Sequence, residues 1–233
     1  MVTKERAFLS SNYKLIDVSH PVEDGMITYQ GLPAPVISDH LSRSAAQQVY
    51  APGITFQIGK IEMVANTGTY LDSPFHRYAD GTDLSGLDLA SLANLDAQVI
   101  RWRERESRAI SVDALSDLNL RGKAVLFDTG WDRYWRTTNY YDGTHPYVTR
   151  AAAQYLVEAG AVLVGIDSYN IDDTKDLERP AHSVLLKANV PIVEHLCDLD
   201  QLPDSGFKFF AVPVKVKGMG TFPVRAFGVL QTP

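Results

Sequence analysis

The sequence predicts a single mixed α/β domain, on three observations. Candidate strands come both in consecutive runs and in alternation with helical patterns, so neither an all-β fold nor an even βαβ repeat accounts for them. The 233 residues are 45% hydrophobic and 21% charged, enough to bury a sizeable core and unlike disordered, coiled-coil or membrane chains. No internal repeat, low-complexity tract or Gly/Ser linker divides residues 1–233.

In chain order, "KLIDVSHP" reads as a short strand stopped at Pro21. "ITFQIGKIEMV" alternates at Ile54, Phe56 and Ile58 and resumes at Ile61 and Met63, a strand with one irregularity near Gly59. "AQVIRW" and "KAVLFD" are further strands. Between them, Ser111 is placed to cap a helix with Val112, Leu115 and Leu118 on one face. Thr149 caps "RAAAQYLVEAG", whose Ala152, Tyr155, Leu156 and Ala159 form an apolar face and whose Gly160 stops it. "AVLVGID" is a continuous apolar run, the mark of a buried strand. "HSVLLKANV" reads as a short helix leading into the strand "PIVE", and "FKFFAVPVKV" and "AFGVLQ" supply late strands.

A formal charge of −6 with no long Lys/Arg cluster gives no footprint for nucleic acid. The longest apolar stretch, "AGAVLVGI", is too short to span a bilayer, and "MVTKERAFLSSNYK" lacks the apolar core of a signal peptide. Cys197 is alone, so no internal disulfide forms. A cytoplasmic protein is expected.

Chemistry concentrates in "NTGTYLDSPFH", Asn66 to His76. Pro74 argues against a helix, and in extended chain Asn66, Gly68, Tyr70 and Asp72 share a face, with His76 following a Pro-directed turn. A metal or catalytic role competes with a plain turn in which Asp72 caps amides and His76 packs on Phe75. In the second half, "ERPAHSVLLKANVPIVEHL" puts His182 at a helix start and Glu194 at a strand end. A carboxylate and an imidazole there complete a Zn²⁺ or Mn²⁺ ligand set with Asp72. His195, facing opposite to Glu194 on a strand, is the residue not chosen.

These residues resemble the cyclase-like metal-dependent hydrolases, a family that includes bacterial kynurenine formamidase and isatin hydrolase. The stretch is similar to its signature H-x-G-T-H-x-D-x-P-x-H. "IDVSHPVEDGMITYQGLP", "FDTGW" and "VGIDSYNIDD" with "AHSVLLKANVPIVEHL" resemble its opening, central and closing segments in order. The resemblance implies a swivelling β/β/α domain with a mixed, barrel-like sheet, commonly a homodimer or homotetramer. It implies metal ligation by Asp72, His182 and Glu194, an acid/base role for His76, and a substrate-pocket position for Tyr29 where the formamidases carry Trp. Two signature imidazoles are replaced, by Asn66 and Tyr70. A neutral amide and a phenol with an ordinary pKa of about 10 are poor substitutes, so one ion, not two, is expected.

The function expected is therefore metal-dependent hydrolysis of an amide, lactam, lactone or similar acyl bond in a small molecule. A metal-bound water is the nucleophile, His76 the acid/base and Tyr70 an oxyanion donor, with Asn66 and Trp131 as further substrate contacts. The rival readings are a metal-independent cyclase, dehydratase or other lyase, and a catalytically silent small-molecule binder. The remaining polar residues take plainer readings. His20 and His40 are structural or solvated, and His145 is a turn residue or pocket edge. Trp131, Tyr134 and Trp135 are core or lid aromatics. Asp167 and Asp172 cap backbone amides, Arg101–Arg108 is a solvated charged run, and Gly218 and Gly220 mark a tight loop.

Overall fold

The computed structural model describes residues 12–103 and 106–231. Its strands are β1 (Tyr13–Asp17), β2 (Val36–Leu41), β3 (Ile58–Glu62), β4 (Tyr70–Asp72), β5 (Leu95–Arg101), β6 (Ala109–Ile110), β7 (Lys123–Asp128), β8 (Tyr147–Val148), β9 (Leu163–Ile166), β10 (Ile192–Glu194), β11 (Phe207–Phe210), β12 (Thr221–Pro223) and β13 (Phe227–Gln231). The α-helices are α1 (Arg43–Ala46), α2 (Arg150–Glu158) and α3 (Pro180–Lys187).

Nine strands form one mixed sheet in the order β1-β13-β11-β5-β7-β9-β10-β4-β12, curled into a half-barrel. Its centre, β5-β7-β9-β10, is parallel, and β4 and β12 join antiparallel. Adjacent strand residues point to opposite faces, so Val125 and Phe127 pack with Leu156 and Leu185 of the helices, whereas Leu126 packs with Leu71, Val193 and Phe209 on the other side. Burial on both faces is why the central strands read as unbroken apolar runs.

Thr149 caps α2 as read, accepting from the Ala152 amide at 3.2 Å, and Gly160 ends it at a φ of +81°. The helix expected after Ser111 is only a 3₁₀ turn, Val112–Ala114. The Ser111 hydroxyl faces the Asp113 carboxylate at 3.4 Å and caps no backbone amide. The strand expected across "ITFQIGKIEMV" shrinks to β3, which pairs only with β2 in a separate ribbon. Its irregularity is a bulge in the partner, where Asp39 and Leu41 face Gly59 and Ile58 and leave His40 unmatched. Two residues of the run expected to be solvated turn inward: Arg101 and Arg103 bind the buried Asp128 carboxylate at 2.8 and 2.7 Å.

Candidate active site

Three paired strands place the polar residues. Tyr70 and Asp72 lie two apart on β4 and share a face, and residues directly opposite on neighbouring strands share it too. Glu194 of β10 sits opposite Tyr70, and Thr221 of β12 opposite Asp72. The extended stretch is shorter than expected, because Asn66 to Thr69 bend before β4 begins. Gly68 makes that bend at a φ of +66°, and its amide donates to Thr28 Oγ1 at 2.7 Å. After β4, Pro74 opens a single 3₁₀ turn that carries His76.

Helix α3 brings His182. Its first turn is held by Asp172, whose carboxylate accepts from the Ala181 amide at 2.6 Å and lies 2.6 Å from His182 Nδ1. With Nδ1 engaged there, His182 Nε2 lies 3.6 Å from Asp72 Oδ2 and 3.7 Å from Glu194 Oε1. Asp72 Oδ2 is buried with no hydrogen-bond partner. Such an oxygen is costly unless something positive meets it.

Electrostatics agree. Burial works against charge on His182, but Glu194, Asp172 and Asp72 outweigh it and hold the imidazole well above its ordinary value. Burial likewise works to raise the Asp72 carboxyl, and His76, His182 and Thr221 outweigh it and pull it below the ordinary range. Burial raises the Glu194 carboxyl. The cluster thus draws positive charge, as a cation site must.

Tyr70 is fully buried and its hydroxyl donates to Glu194 Oε2 at 2.7 Å. Burial, then the charges of Glu194 and Asp72, push its phenol well above the ordinary value. It is therefore a neutral donor, and its one proton lies on Glu194, not free for an oxyanion as expected. Asn66 acts the other way on the Tyr70 phenol and offsets part of that rise. Neither residue offers an imidazole, so the pair does not fit a second ion.

Thr221 escaped the sequence reading. Its hydroxyl donates to Asp72 Oδ1 and lies 2.8 Å from His76 Nδ1. With its proton given to the carboxylate, Oγ1 accepts from His76 Nδ1–H, which leaves the lone pair of that ring on Nε2. Among the described residues, Asp72, His76 and His182 offer ligand atoms within 4.8 Å of one another.

A cavity of about 280 Å³ opens over this cluster, lined by Tyr29, Asn66, Tyr70, His76, His182 and Glu194 among others. Tyr29 stacks on Tyr169 with ring centroids 4.6 Å apart. Trp131 is not part of the lining; its indole N–H donates to the Tyr140 carbonyl at 3.2 Å, and its ring meets Tyr134. His195 lies outside the cluster as read, just past the end of β10 at a φ of +56° and 2.7 Å from the Tyr140 hydroxyl. His145, expected at a turn or pocket edge, is fully buried and contacts the Asp172 carbonyl at 2.9 Å. Asp167 caps amides as expected, accepting from Thr129 and Gly130.

Residues 16–173 match the family described as "Putative cyclase". The chain is 31% identical over 171 residues to kynurenine formamidase of Geobacillus thermodenitrificans, covering 72% of this chain and 78% of that one. In fold it resembles isatin hydrolase A from Labrenzia aggregata bound to benzyl benzoate, with a TM-score of 0.80 at 18% identity over 94% of each chain. It also resembles a protein described as a "Potential Metal-Dependent Hydrolase With Cyclase Activity", with a TM-score of 0.76 at 24% identity over 95% of this chain and 100% of that one. The chain belongs to the cyclase family and is an enzyme of its hydrolase type.

Proposed function

We propose that this enzyme hydrolyses an amide, lactam, lactone or similar acyl bond in a small molecule, using one divalent ion, zinc or manganese. One observation carries the reading. The partnerless Oδ2 of Asp72 faces the Nε2 of an imidazole whose other nitrogen is already held by Asp172, with Glu194 beside it. Carboxylate-held imidazoles and spare carboxylate oxygens are what such ions bind. When bound, the ion supplies Lewis acidity and lowers the pKa of a water from about 16 to about 7.

The chain's own residues do the rest. His76, at the cavity wall with its Nε2 lone pair free, accepts a proton from the attacking water and returns it to the leaving nitrogen or oxygen. Asp72 and Thr221 hold it in that tautomer. Tyr70 and the Ile171 amide, both 2.7 Å from Glu194, fix the orientation of that carboxylate. A metal-free lyase would need the Tyr70 proton for substrate, and Glu194 already takes it. The resemblance to a kynurenine formamidase supports an amide as the bond cleaved.

Metal analysis of the purified chain, with turnover screens over formyl-anilines, isatin-like lactams and lactones, tests the reading. Asp72→Ala and His182→Ala should each lose the metal, whereas His76→Ala should keep it and lose turnover. Retention of metal by the first two would overturn the ligand set.

Two attributes complete the proposal. The β2–β3 ribbon carries exposed Ile37, Ile58 and Ile61, with exposed Phe56 just before β3, an apolar surface suited to a second copy in a homodimer or homotetramer. No described helix is long and apolar enough to cross a membrane. The single buried Cys197 accords with a reducing cytoplasm.

A further inference from the structure

Two arginines line the same cavity, Arg77 and Arg179. Arg77 directly follows His76, and Arg179 precedes the helix that carries His182, so each is anchored beside a residue of the site. Six of the eleven described arginines are paired. Arg101, Arg103, Arg108, Arg136, Arg150 and Arg225 each have a carboxylate within 4.0 Å. Among the described residues Arg77 and Arg179 have none; Arg43, Arg121 and Arg133 also lack one, but none of those three lines the cavity.

What holds the two is neutral. Arg77 Nε donates to Ser183 Oγ at 3.3 Å, and Arg179 Nη1 donates to Oδ1 of the buried Asn170 at 3.3 Å. Of the acids near Arg179 in sequence, Glu178 is taken by Arg150 and Asp173 by Arg108, while the Asp176 carboxylate accepts from the Glu178 amide at 3.0 Å. Asn170 Oδ1 is itself placed by the Asp172 amide at 3.0 Å. Arg179 has left-handed backbone at a φ of +49°, which a non-glycine side chain adopts only where its surroundings impose it.

One divalent ion offsets Asp72 and Glu194, and no carboxylate lies within 4.0 Å of either guanidinium, so neither Arg77 nor Arg179 has a paired counter-ion at the cavity wall. Arg179 is half-buried and Arg77 exposed at this wall, and a guanidinium with N–H groups to spare binds a carboxylate in preference to a neutral group. Resting on the hydrolase reading above, we propose that the substrate is anionic: a small amide or lactam bearing a carboxylate that Arg77 and Arg179 bind, with Tyr29 offering an aromatic wall.

The test uses the zinc- or manganese-loaded full chain and a matched pair, N-formylanthranilate and formanilide, which share a ring and a scissile bond and differ by one carboxylate. Wild type should favour the carboxylate member in kcat/KM by about tenfold or more, the scale of one charged hydrogen bond. Arg179→Gln and Arg77→Gln should each erase most of that preference through KM. Turnover of formanilide and metal content should be unchanged, Arg179→Lys should restore part of the preference, and Arg133→Gln should change nothing. Equal turnover of the pair, or a preference that survives both glutamine variants, overturns the proposal. If neither compound is turned over, calorimetric binding of benzoate separates the two ideas. Benzoate binding weakened about tenfold in Arg179→Gln sustains the anion site while the hydrolase reading falls. No binding, or binding unaffected by both variants, ends the anion site as well.

Discussion

His182 Nδ1 lies 2.6 Å from Asp172 Oδ2, and the other oxygen of the same carboxylate caps the helix that carries this histidine. One side chain therefore sets both where α3 begins and which ring nitrogen of His182 is left free. Replacing Asp172 with Asn keeps an oxygen for the cap but removes the charge that holds Nδ1–H. The expected loss in zinc or manganese affinity is about 10- to 100-fold, the scale typical of such supporting carboxylates. Competition against a chelator of known affinity measures it, and an unchanged dissociation constant would show that Asp172 serves the helix alone.

Thr221 links Asp72 to His76, so removing its hydroxyl without changing its shape tests the proton-transfer arrangement. Thr221→Val leaves Asp72 Oδ1 and His76 Nδ1 without that shared partner. Turnover should fall by at least about tenfold, within what general acid–base catalysis contributes, while metal stays bound. Thr221→Ser should behave nearly as wild type. If the valine variant keeps full kcat, the ring of His76 is positioned by something else.

The contrast between the two acids and the threonine explains what the sequence could disclose. Asp72 and His76 stand in one short segment with a chemical pattern, and His182 and Glu194 flank a helix-strand pair readable from apolar spacing. Thr221 lies 149 residues from Asp72, and only the pairing of β12 with β4 joins them. Strand order is a tertiary choice that local periodicity does not encode. The same applies to Arg101 and Arg103, which look solvated in a charged run. Arg101 actually sits opposite Asp128 in the β5–β7 register, and that buried carboxylate draws both guanidinium groups inward. Most strands were legible because their burial on two faces leaves continuous apolar runs. The helix after Ser111 was not, since short polar side chains there bond one another and cap nothing.

Gly220 is required by space. A Cβ added there would meet the backbone nitrogen of His76 at 2.4 Å and its Cα at 2.5 Å, atoms that cannot yield without moving the turn. Gly220→Ala should destabilise the fold by about 1–3 kcal/mol, as overpacking does, and displace His76 enough to lower turnover more than stability alone explains. Gly218→Ala is the control. Open space surrounds that residue and only its φ of +75° opposes a side chain, so the cost should be about 1–2 kcal/mol with activity kept in the folded fraction. Equal activity in the two variants, corrected for folded fraction, would refute the steric reading.

The ribbon of β2 and β3 should behave as an assembly surface. Ile37 and Ile61 face each other in register and are 45% and 48% exposed, and an isolated two-stranded ribbon is at best marginally stable in water. Ile37→Lys with Ile61→Lys should convert an oligomer into a monomer in light scattering without unfolding the nine-stranded sheet. A wild-type chain that is monomeric at micromolar concentration would dispose of the homo-oligomer.

His20 gives the fold an acid limit. Burial against Trp135, whose ring stacks on it at 4.0 Å, lowers its pKa from 6.5 to about 4, and Asp198 offsets only part of this. Below pH 6.5 the unfolded chain takes up a proton at this residue and the folded chain does not, so protonation favours unfolding. The stability tied to His20 is intact above pH 6.5 and declines as pH falls toward 4, by up to about 3 kcal/mol from a shift of this size. Other groups titrate in the same window, so the measurement must isolate one residue. His20→Phe keeps a ring for the stack and has no proton to gain. Its Tm should therefore fall less steeply than that of wild type between pH 6.5 and 4, with the two curves running parallel above pH 7. Parallel curves throughout the acid range would mean that His20 is free to protonate in the folded protein.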